Sequence, residues 1–401
     1  MTASVSNLPY ILKTLYPQGL PKDVTYQDFP FLSLMKRNTN FYGENMAVPL
    51  KYGNNSGRSS TFTNAQSNSD YTKGVKFVVT RNSDYAIARI ANELLEASEK
   101  DPGAFVAALK HEVDGAMKAA VISEALSLAE DGTGYIAQFA SSVNVATATA
   151  LLSDIEQIVR FEVGQVVQLS ATKGGAAKAG SLTISAVNRS TGVLTFSGNI
   201  SAGVATAAAS DYIAIQGDVN LKPKGFSAWI PESDPSSTAF FGVDRTPDLV
   251  RLSGVRDDFS ALPIEEATVK ALKRLHREGS NADYAFINFG KFAELENALG
   301  SKVQYCDVMA KEVGIGFRGI KINSGKRPVT VLADMTVPSN RLWVAQLDTW
   351  ELASLKESIR ILDQDGNKML RLGSEDSLEV RIGGYKQFVC NAPGYNGNFQ
   401  I

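Results

Sequence analysis

Alternating hydrophobic and polar positions near the N-terminus predict a long two-stranded hairpin. The first strand is MAVPLKY at 46–52, and the return strand is GVKFVVT at 74–80, where Val75, Phe77 and Val79 share one face. Between them the polar run GNNSGRSST has the Gly, Asn and Ser residues typical of turns. Because an isolated hairpin is only marginally stable in water, we expect this one to pack against a partner.

A helical period governs the stretch from 102 to 129. Asp101 is a favourable N-cap, Pro102 suits the first turn, and the glycines of the following DGTG predict the end. At about 1.5 Å per residue this helix is a rod of roughly 40 Å. Gly115 costs about 1 kcal/mol relative to alanine, so we expect another backbone to approach closely there. The apolar stripe consists of Val106, Leu109, Val113, Met117, Val121, Ala125 and Leu128.

Short alternating runs separated by turn residues mark residues 159–218, where Gly, Ala, Ser, Thr and Val dominate. The runs VVQLS, SLTISAV, VLTFS and DYIAIQ have the spacing of a small antiparallel barrel or sandwich. Helical patterns lie on both sides of this segment. We therefore interpret it as an inserted β-barrel module.

The rest of the chain mixes helix and strand patterns, which makes the predicted class α+β. LPIEEATVKALKRLHREG and KFAELENAL are predicted helices, and SIRILDQDGNKMLRL is a predicted hairpin that turns at Asp365-Gly366. The predicted strands are YAFIN, FRGIKI, PVTVLAD, RLWVAQL and LEVRIGGYKQFVC. The N-terminal segment has aromatic residues without a period, so we expect an arm that packs on another surface, such as a neighbouring subunit. Its aromatic residues are Tyr10, Tyr16, Phe29 and Phe31.

Composition excludes several classes of protein. A length of 401 residues suggests two or three domains, and a net charge of −2 gives no general affinity for polyanions. Cys306 and Cys390 are too few for a disulfide framework, so we expect synthesis in a reducing compartment. The N-terminus lacks the pattern of a secretory signal, and no apolar run is long enough for a membrane helix.

Candidate catalytic and ligand-binding motifs are weak. The histidines are His111 and His276; His111-Glu112 begins like a zinc-protease helix, but Gly115 replaces the second ligand. Gly314-Ile-Gly-Phe-Arg-Gly319 matches a dinucleotide motif, but strand follows it rather than helix, which favours a loop. GGAAKAGS at 174–181 lacks the lysine of a phosphate loop and predicts a surface loop. Asp363, Asp365 and Asn367 begin like a calcium loop, but Lys368 and Ser374 break the pattern.

One helix concentrates basic residues, and two aromatic residues could line a cleft. For the helix a solvated face is the default interpretation, and contact with nucleic acid or an acidic neighbour is the alternative. Tyr212 and Trp229 could line a sugar-binding cleft, although single aromatic residues usually belong to the core. No catalytic, cofactor-binding or metal-binding residue is predicted. The basic residues of the helix are Lys270, Lys273, Arg274 and Arg277.

The order of these parts, with IANELLEASEKDPGAFVAALKHEVDGAMKAAVISEAL followed by DGTG, resembles the major capsid protein of tailed bacteriophages, which has the Hong Kong 97-type fold. FRGIKI and PVTVLADMTVPSNRLWVAQLDTWEL are similar to the strands of that family's axial domain. The resemblance covers most of the chain except 159–218. The parts it implies are an N-terminal arm (1–43), an extended E-loop hairpin (44–84), a P-domain (85–158) with the spine helix (102–129), the inserted β-barrel (159–218), an A-domain (219–352) and closing P-domain strands with the C-terminus (353–401).

The resemblance implies a structural protein and not an enzyme, and it implies no cofactor. Copies of the chain would form hexamers and pentamers of an icosahedral head around double-stranded DNA, in the virion after assembly in the host cytoplasm. A separate scaffolding protein, a portal and decoration proteins are the other implied partners, and no membrane is implied. Some relatives join a loop lysine covalently to an asparagine; no matching asparagine is identifiable here, so no crosslink is predicted. The loop lysines are Lys51, Lys73 and Lys76.

Two alternatives stay open at this point. One is an encapsulin-like nanocompartment shell of the same fold, which differs from a virus in its contents. The other is a carbohydrate-binding or enzymatic protein with an accessory β module, which would need a cleft with converging polar groups.

Overall fold

A computed structural model describes residues 29–93, 102–300, 305–310, 315–323, 325–363 and 368–401; within 102–111 and 305–318 it describes backbone alone. This part of the chain has the predicted α+β class, with sheets of six, six and seven strands and a two-stranded hairpin. The helices are α1 (Pro30–Leu34), α2 (Phe62–Ser67), α3 (Pro102–Ala129), α4 (Ile200–Gly203), α5 (Phe226–Trp229), α6 (Ile264–Arg277) and α7 (Phe289–Leu299). The strands are β1 (Lys36–Asn38), β2 (Asn45–Gly53), β3 (Lys73–Thr80), β4 (Asn82–Ala91), β5 (Tyr135–Gln138), β6 (Thr149–Leu151), β7 (Val166–Ser170), β8 (Leu182–Asn188), β9 (Val193–Phe196), β10 (Tyr212–Ile215), β11 (Val255–Asp258), β12 (Tyr284–Ile287), β13 (Tyr305–Ala310), β14 (Ile315–Asn323), β15 (Pro328–Ala333), β16 (Arg341–Ala345), β17 (Trp350–Ser354), β18 (Arg360–Ile361), β19 (Leu370–Arg371), β20 (Ser377–Cys390) and β21 (Gly397–Gln400).

The first six-stranded sheet is built around the long strand β20. Strand β4 pairs with one edge of β20 along its length, while β17, β18 and β19 pair in turn with the other edge, and β1 adds to β17. The segment predicted as a hairpin that turns at Asp365-Gly366 contains β18 and β19, and both strands pair with β20. The turn itself lies outside the described residues. The strands are too short for their pattern to reveal the longer partner.

Helix α3 lies across β4 and β20 and has the bounds that the sequence predicts. Ala120 packs with Ala88, Val380 and Ile382. The predicted stripe is wrong at Val121, which is 37% exposed. Residues 124–129 of the last turns are all buried, and the backbone at Gly225, just before α5, lies against the carbonyl groups of Ser127 and Leu128. Its end is confirmed: Gly132 and Gly134 follow with φ of 87° and 77°.

Gly115 does not have the close backbone neighbour that we expect from the sequence. No heavy atom of the described chain lies within 4 Å of the position that a Cβ would occupy there. Close approach occurs at Gly225 instead, where a Cβ would be 2.1 Å from the carbonyl oxygen of Leu128. The glycine that lets two backbones meet is therefore on the covering segment and not on the helix.

The seven-stranded sheet has the order β11-β21-β16-β12-β15-β14-β13. Helix α6 packs on it through an apolar face in which Ala267, Ala271 and Leu275 are fully buried. Two features differ from the predicted division at 352. That position lies inside β17, and the C-terminal strand β21 belongs to this sheet, although 353–401 is predicted to close the other one. A strand's pattern shows that it is buried, but not which sheet it joins.

The second six-stranded sheet has the order β5-β10-β7-β8-β9-β6, with every pair antiparallel. A bridge between Phe139 and Leu152 links the two ends of this order. Its separate core includes Phe161, Leu169 and Ile213. The four predicted strands are present as β7 to β10. The sheet begins earlier than 159, because β5 and β6 have too few residues to show alternation, and we call residues 135–215 the module.

Entry and exit of the module lie side by side, because β5 and β10 are hydrogen-bonded neighbours. The two backbones approach so closely that a Cβ on Gly134 would be 2.3 Å from the carbonyl oxygen of Asp218. Only glycine fits there, and its φ of 77° is also one that other residues rarely adopt.

The N-terminal segment that the structure describes packs on this chain's own core, which corrects our expectation for Phe29 and Phe31. Phe31 is fully buried, and its ring stacks on that of Phe286 at 4.5 Å between centroids. Its backbone N–H donates to the buried carboxylate of Asp334 at 3.1 Å. The slot is formed by residues far along the chain, so the segment itself shows no period. Tyr10 and Tyr16 lie outside the described residues.

Candidate functional site

The most exposed feature of the described chain is the far end of the predicted hairpin. Strands β2 and β3 pair from Asn45 to Lys73, and the short helix α2 at the tip buries no residue. Phe62 is 82% exposed and Tyr71 is 75% exposed. Contiguous exposed apolar surface often marks a site of interaction with another protein, and both of these rings belong to the tip.

The root of the same hairpin is embedded in the body. Phe77, which is fully buried, lies against Trp229 with 5.2 Å between ring centroids. The backbone N–H of Val78 donates to the carbonyl of Phe241 at 2.8 Å. Val48 and Val79 are also buried, which confirms the predicted apolar face. The hairpin therefore has an anchored end and a free end.

A buried group of ions lies at the start of β4, the strand that directly follows the hairpin, and joins it to the rest of the fold. Lys222 Nζ donates to Asp84 Oδ1 at 2.9 Å, to Ser123 Oγ at 2.8 Å and to Asp218 Oδ2 at 3.1 Å. Burial alone would raise the pKa of Asp84, but Lys386 and Lys222 together hold that pKa below its ordinary value. Burial raises the pKa of Asp218. These contacts connect β4, α3 and the exit of the module.

Lys386 and Glu124 form the most deeply buried ion pair of this group. Lys386 Nζ lies 2.7 Å from Glu124 Oε2, and both side chains are almost fully buried. This pair is not among the residues predicted from the sequence. Its signal is a charged residue inside each of two apolar runs, AVISEALSLA and GGYKQFVC, but one sequence does not show that the two runs meet.

Arg160 connects the module to the other two sheets. Its Nη1 donates to Glu130 Oε1 at 2.7 Å and to the carbonyl of Ile136 at 2.8 Å, and its Nη2 donates to the carbonyl of Thr336 at 2.9 Å. Lys173 adds a second cation, and although burial would lower its pKa, Glu130 and other nearby carboxylates raise it. The module is thus held at its entry as well as at its exit.

A cavity of about 400 Å³ lies beside Arg160, between the module and the body, and Tyr212 lines it. Trp229 does not line it: its ring is in the core, and its Nε1 donates to the carbonyl of Phe388 at 2.9 Å. Polar groups of the cavity bond one another, as Ser339 does with Asp154 at 3.0 Å. The two aromatic residues proposed for a sugar site are therefore not brought together.

The predicted loop motifs have different outcomes. Residues 315–319 of the dinucleotide-like motif belong to β14, so for them both the loop and the dinucleotide interpretations are wrong, and Gly314 lies outside the described residues. Gly319 is needed there because a Cβ would be 2.6 Å from Thr330 Cγ2 on the next strand. The run 174–181 is a loop between β7 and β8, as predicted. Its Lys178 pairs with the buried Asp211 at 2.6 Å rather than facing a ligand.

The remaining candidate ligands do not assemble into a site. Asp363 is exposed, whereas Asp365 and Asn367 lie outside the described residues, as does the side chain of His111. His276 Nδ1 lies 3.2 Å from the carbonyl oxygen of Ser280. Among the described residues, no three His, Cys, Asp or Glu side chains are grouped so that they could hold a metal ion. In the same ranges no helix combines the length and apolarity needed to span a membrane.

The basic residues of helix α6 mostly face carboxylates of this chain. Lys270 pairs with Glu266 at 2.8 Å, and Arg274 pairs with Asp257 at 3.1 Å. Arg277 lies 3.7 Å from Glu278. These pairs support the interpretation as a solvated face.

The predicted loop lysines and one cysteine can also be placed. Lys51 and Lys76 are exposed on the hairpin, and Lys73 pairs with Asp70 at 3.4 Å. Cys390 is a free thiol, and burial raises its pKa to about 12, so it is unreactive. The side chain of Cys306 lies outside the described residues.

Comparison with known proteins finds similarity in structure but not in sequence. No family model matches the chain, and no curated protein matches it. The capsid of cyanophage A-1(L) is similar over 96% of this chain and 96% of that chain, with a TM-score of 0.56 and 11% identity.

Two further solved structures give lower scores. A structure of Mycobacterium phage Ogopogo covers 100% of this chain and 99% of its own, with a TM-score of 0.48 and 10% identity. The holo-SrpI encapsulin complex of Synechococcus elongatus PCC 7942 covers 100% and 95%, with a TM-score of 0.47 and 6% identity. Of these three structures, the cyanophage capsid, with a TM-score of 0.56, is similar enough to establish the fold. This chain has the fold of the capsid proteins of tailed phages, the Hong Kong 97-type fold that its sequence resembles.

Proposed function

We propose that this chain is a structural major capsid protein whose copies assemble into the hexamers and pentamers of a tailed-phage head around DNA. The observation that carries the proposal is the hairpin, which has an anchored root and a projecting tip that adds nothing to the core. A side chain such as Phe62 has no use in a monomer but suits a contact with another copy. Similarity along nearly the whole length of a cyanophage capsid chain supports the same conclusion.

The proposal assigns a role to each part of the fold. The hairpin is the E-loop, α3 with the sheet around β20 is the P-domain, and the seven-stranded sheet is the A-domain, which then includes β21. The module is the inserted barrel, and we extend it from the predicted 159–218 to 135–215. Residues before Phe29 remain the proposed arm.

A shell subunit and an enzyme differ in the contacts that they need. A shell subunit needs reach and repeated contacts, and head-to-tail contacts that close produce rings such as hexamers and pentamers. A catalyst needs converging groups at a cleft, and the ionic groups described here face one another instead. The proposal therefore includes no catalytic role and no cofactor. A separate scaffolding protein, a portal, decoration proteins and packaged DNA are its proposed partners, in a virion assembled in the host cytoplasm.

Electron microscopy tests the proposal directly. The full chain is expressed in bacteria, alone and with its scaffolding protein, and the product is examined by negative staining and sedimentation. We expect rings or closed shells. A persistent monomer under every assembly condition would contradict the proposal. Shells filled with an enzyme in place of nucleic acid would favour the nanocompartment alternative.

A further inference from the structure

Two cations beside the hairpin root differ from every other buried cation described above. Arg245 is only 7% exposed, and Lys224 is half-buried. In the part of the chain that the structure describes, the charged neighbour of Lys224 is Arg245, and that of Arg245 is Arg256. No carboxylate of those residues pairs with either Lys224 or Arg245.

Aromatic rings and carbonyl groups compensate these charges in part. The guanidinium of Arg245 lies 4.2 Å from the centroid of Phe240, and Lys224 Nζ lies 5.0 Å from the same centroid and 4.5 Å from that of Phe241. Arg245 Nη1 donates to the carbonyls of Ala228 and Trp229 at 2.9 and 3.1 Å. Within the described ranges the Nε of Arg245 is buried without a hydrogen-bond partner, as is the Nε of Arg160.

One interpretation is that cation–π contacts and carbonyl groups alone are sufficient to stabilise the charges of Lys224 and Arg245. The other buried cations argue against it, because Lys222, Lys386 and Arg160 each have a carboxylate oxygen within 2.9 Å. Burial with a second cation nearby lowers the pKa of Lys224, and it lowers the pKa of Arg245 to about 10. Buried charge without a counter-ion is unfavourable, so this pair is suited to accept an anion from outside the chain.

The position of the pair indicates the source of that anion. Phe240 and Phe241 are the residues on which the hairpin root packs: Phe77 contacts the ring of Phe240, and Val78 donates to Phe241. An anion here would thus lie where the projecting segment leaves the body. We infer that Lys224, backed by Arg245, is an acceptor site for a carboxylate side chain of a second copy of this chain. This inference rests on the proposed function and deepens it.

Lys222 and Lys224 provide a matched pair of variants two positions apart. Lys222→Met removes a cation that has two carboxylate partners, so the melting temperature of the monomer should fall. Lys224→Met removes a cation that has no carboxylate partner among the described residues, so the monomer should melt at the same temperature or higher. Assembly of the Lys224→Met chain should require at least about tenfold more protein, because one partner of an interface charge pair is lost. Lys224→Arg should restore assembly.

Sulfate, a small anion, tests the site without assembly. Melting of the monomer is compared in sulfate and in chloride at equal ionic strength. General stabilisation by sulfate is common to all variants, so the expected result is an additional increase for the native chain that Lys224→Met lacks.

Each result decides the inference. Loss of the sulfate effect together with weakened assembly supports it. A sulfate effect at Lys224 with unchanged assembly overturns the second copy as the source of the anion. If Lys224→Met alters neither, the site does not exist, whereas normal shells from the same variant would leave the proposed shell function intact.

Discussion

The root and the tip of the hairpin are continuous in sequence but opposite in environment. At the root, Phe77 and Val79 are fully buried, and further out, near the end of β2, Arg251 donates to the carbonyl of Tyr52 at 2.6 Å. At the tip, Phe62 and Tyr71 are exposed. A monomer gains nothing from the second arrangement, because burial of apolar surface is the main source of stability. The difference indicates that the core residues of the root stabilise the chain itself, whereas the aromatic side chains of the tip are free for contact between chains.

The largest expected effect is on the root. Phe77→Ala should lower the free energy of unfolding by about 3–5 kcal/mol, because it removes a buried ring and leaves a cavity. Urea denaturation of the monomer measures the change. Val75→Ala, at a half-buried position on the same strand, is the matched control and should cost less. A loss below about 1 kcal/mol for Phe77→Ala would show that the root is not anchored.

The next largest effect on stability is expected at the buried ion pair of Lys386 and Glu124. Lys386→Met should cost about 3 kcal/mol, because Glu124 would remain as an uncompensated buried charge. The double variant Lys386→Met with Glu124→Leu should recover most of that loss, since an apolar pair of similar volume often replaces a buried ion pair without cost. Equal instability of the single and double variants would contradict this interpretation.

Shortening the tip should have little effect on the monomer and a strong effect on assembly. Deleting residues 53–61 should change the free energy of unfolding by no more than about 0.5 kcal/mol, because this segment contributes no core residue. Thermal melting and electron microscopy of the same preparation measure both properties. A large fall in melting temperature would place the tip in the core and remove the contrast with the root.

The smallest expected effect is at a single exposed ring. Phe62→Ser should leave the melting temperature unchanged, because its side chain is already in water. Its effect on the protein concentration needed for assembly should be smaller than that of the deletion. Thr63→Ser, at the adjacent exposed position, serves as the control. Assembly identical to that of the native chain would mean that other tip residues make the contact.

Local patterns predicted those parts of the fold whose cause is local. Helix α6 follows from a repeating apolar stripe and from Gly279, which has φ of 94° just beyond its end. The bounds of α3 follow from Pro102 and the DGTG run in the same way. The strands β7 to β10 are long enough for alternation to appear.

The parts that were missed depend on residues distant in sequence. Phe31 has no period around it, and its slot is completed by Phe286 and Asp334. Glu124 and Lys386 are 262 positions apart. Strands β5 and β6 have four and three residues, too few for a period of two to be distinguished from chance. For the candidate surfaces, exposure of the tip followed from its polar turn residues. That Lys224 has no carboxylate partner in the described ranges depends instead on which side chains surround it in space.

The close approach of the two backbones at Gly134 and Asp218, where the module begins and ends, has a practical consequence. Chain termini that lie side by side are the condition under which one domain can be exchanged for another. A foreign domain with adjacent ends could therefore replace residues 135–215, provided that it supplies a cation in place of Arg160 and Lys173 beside Glu130. If the subunit forms a shell, each copy would then display one grafted domain, and the particle would become a repeating carrier for antigens or enzymes.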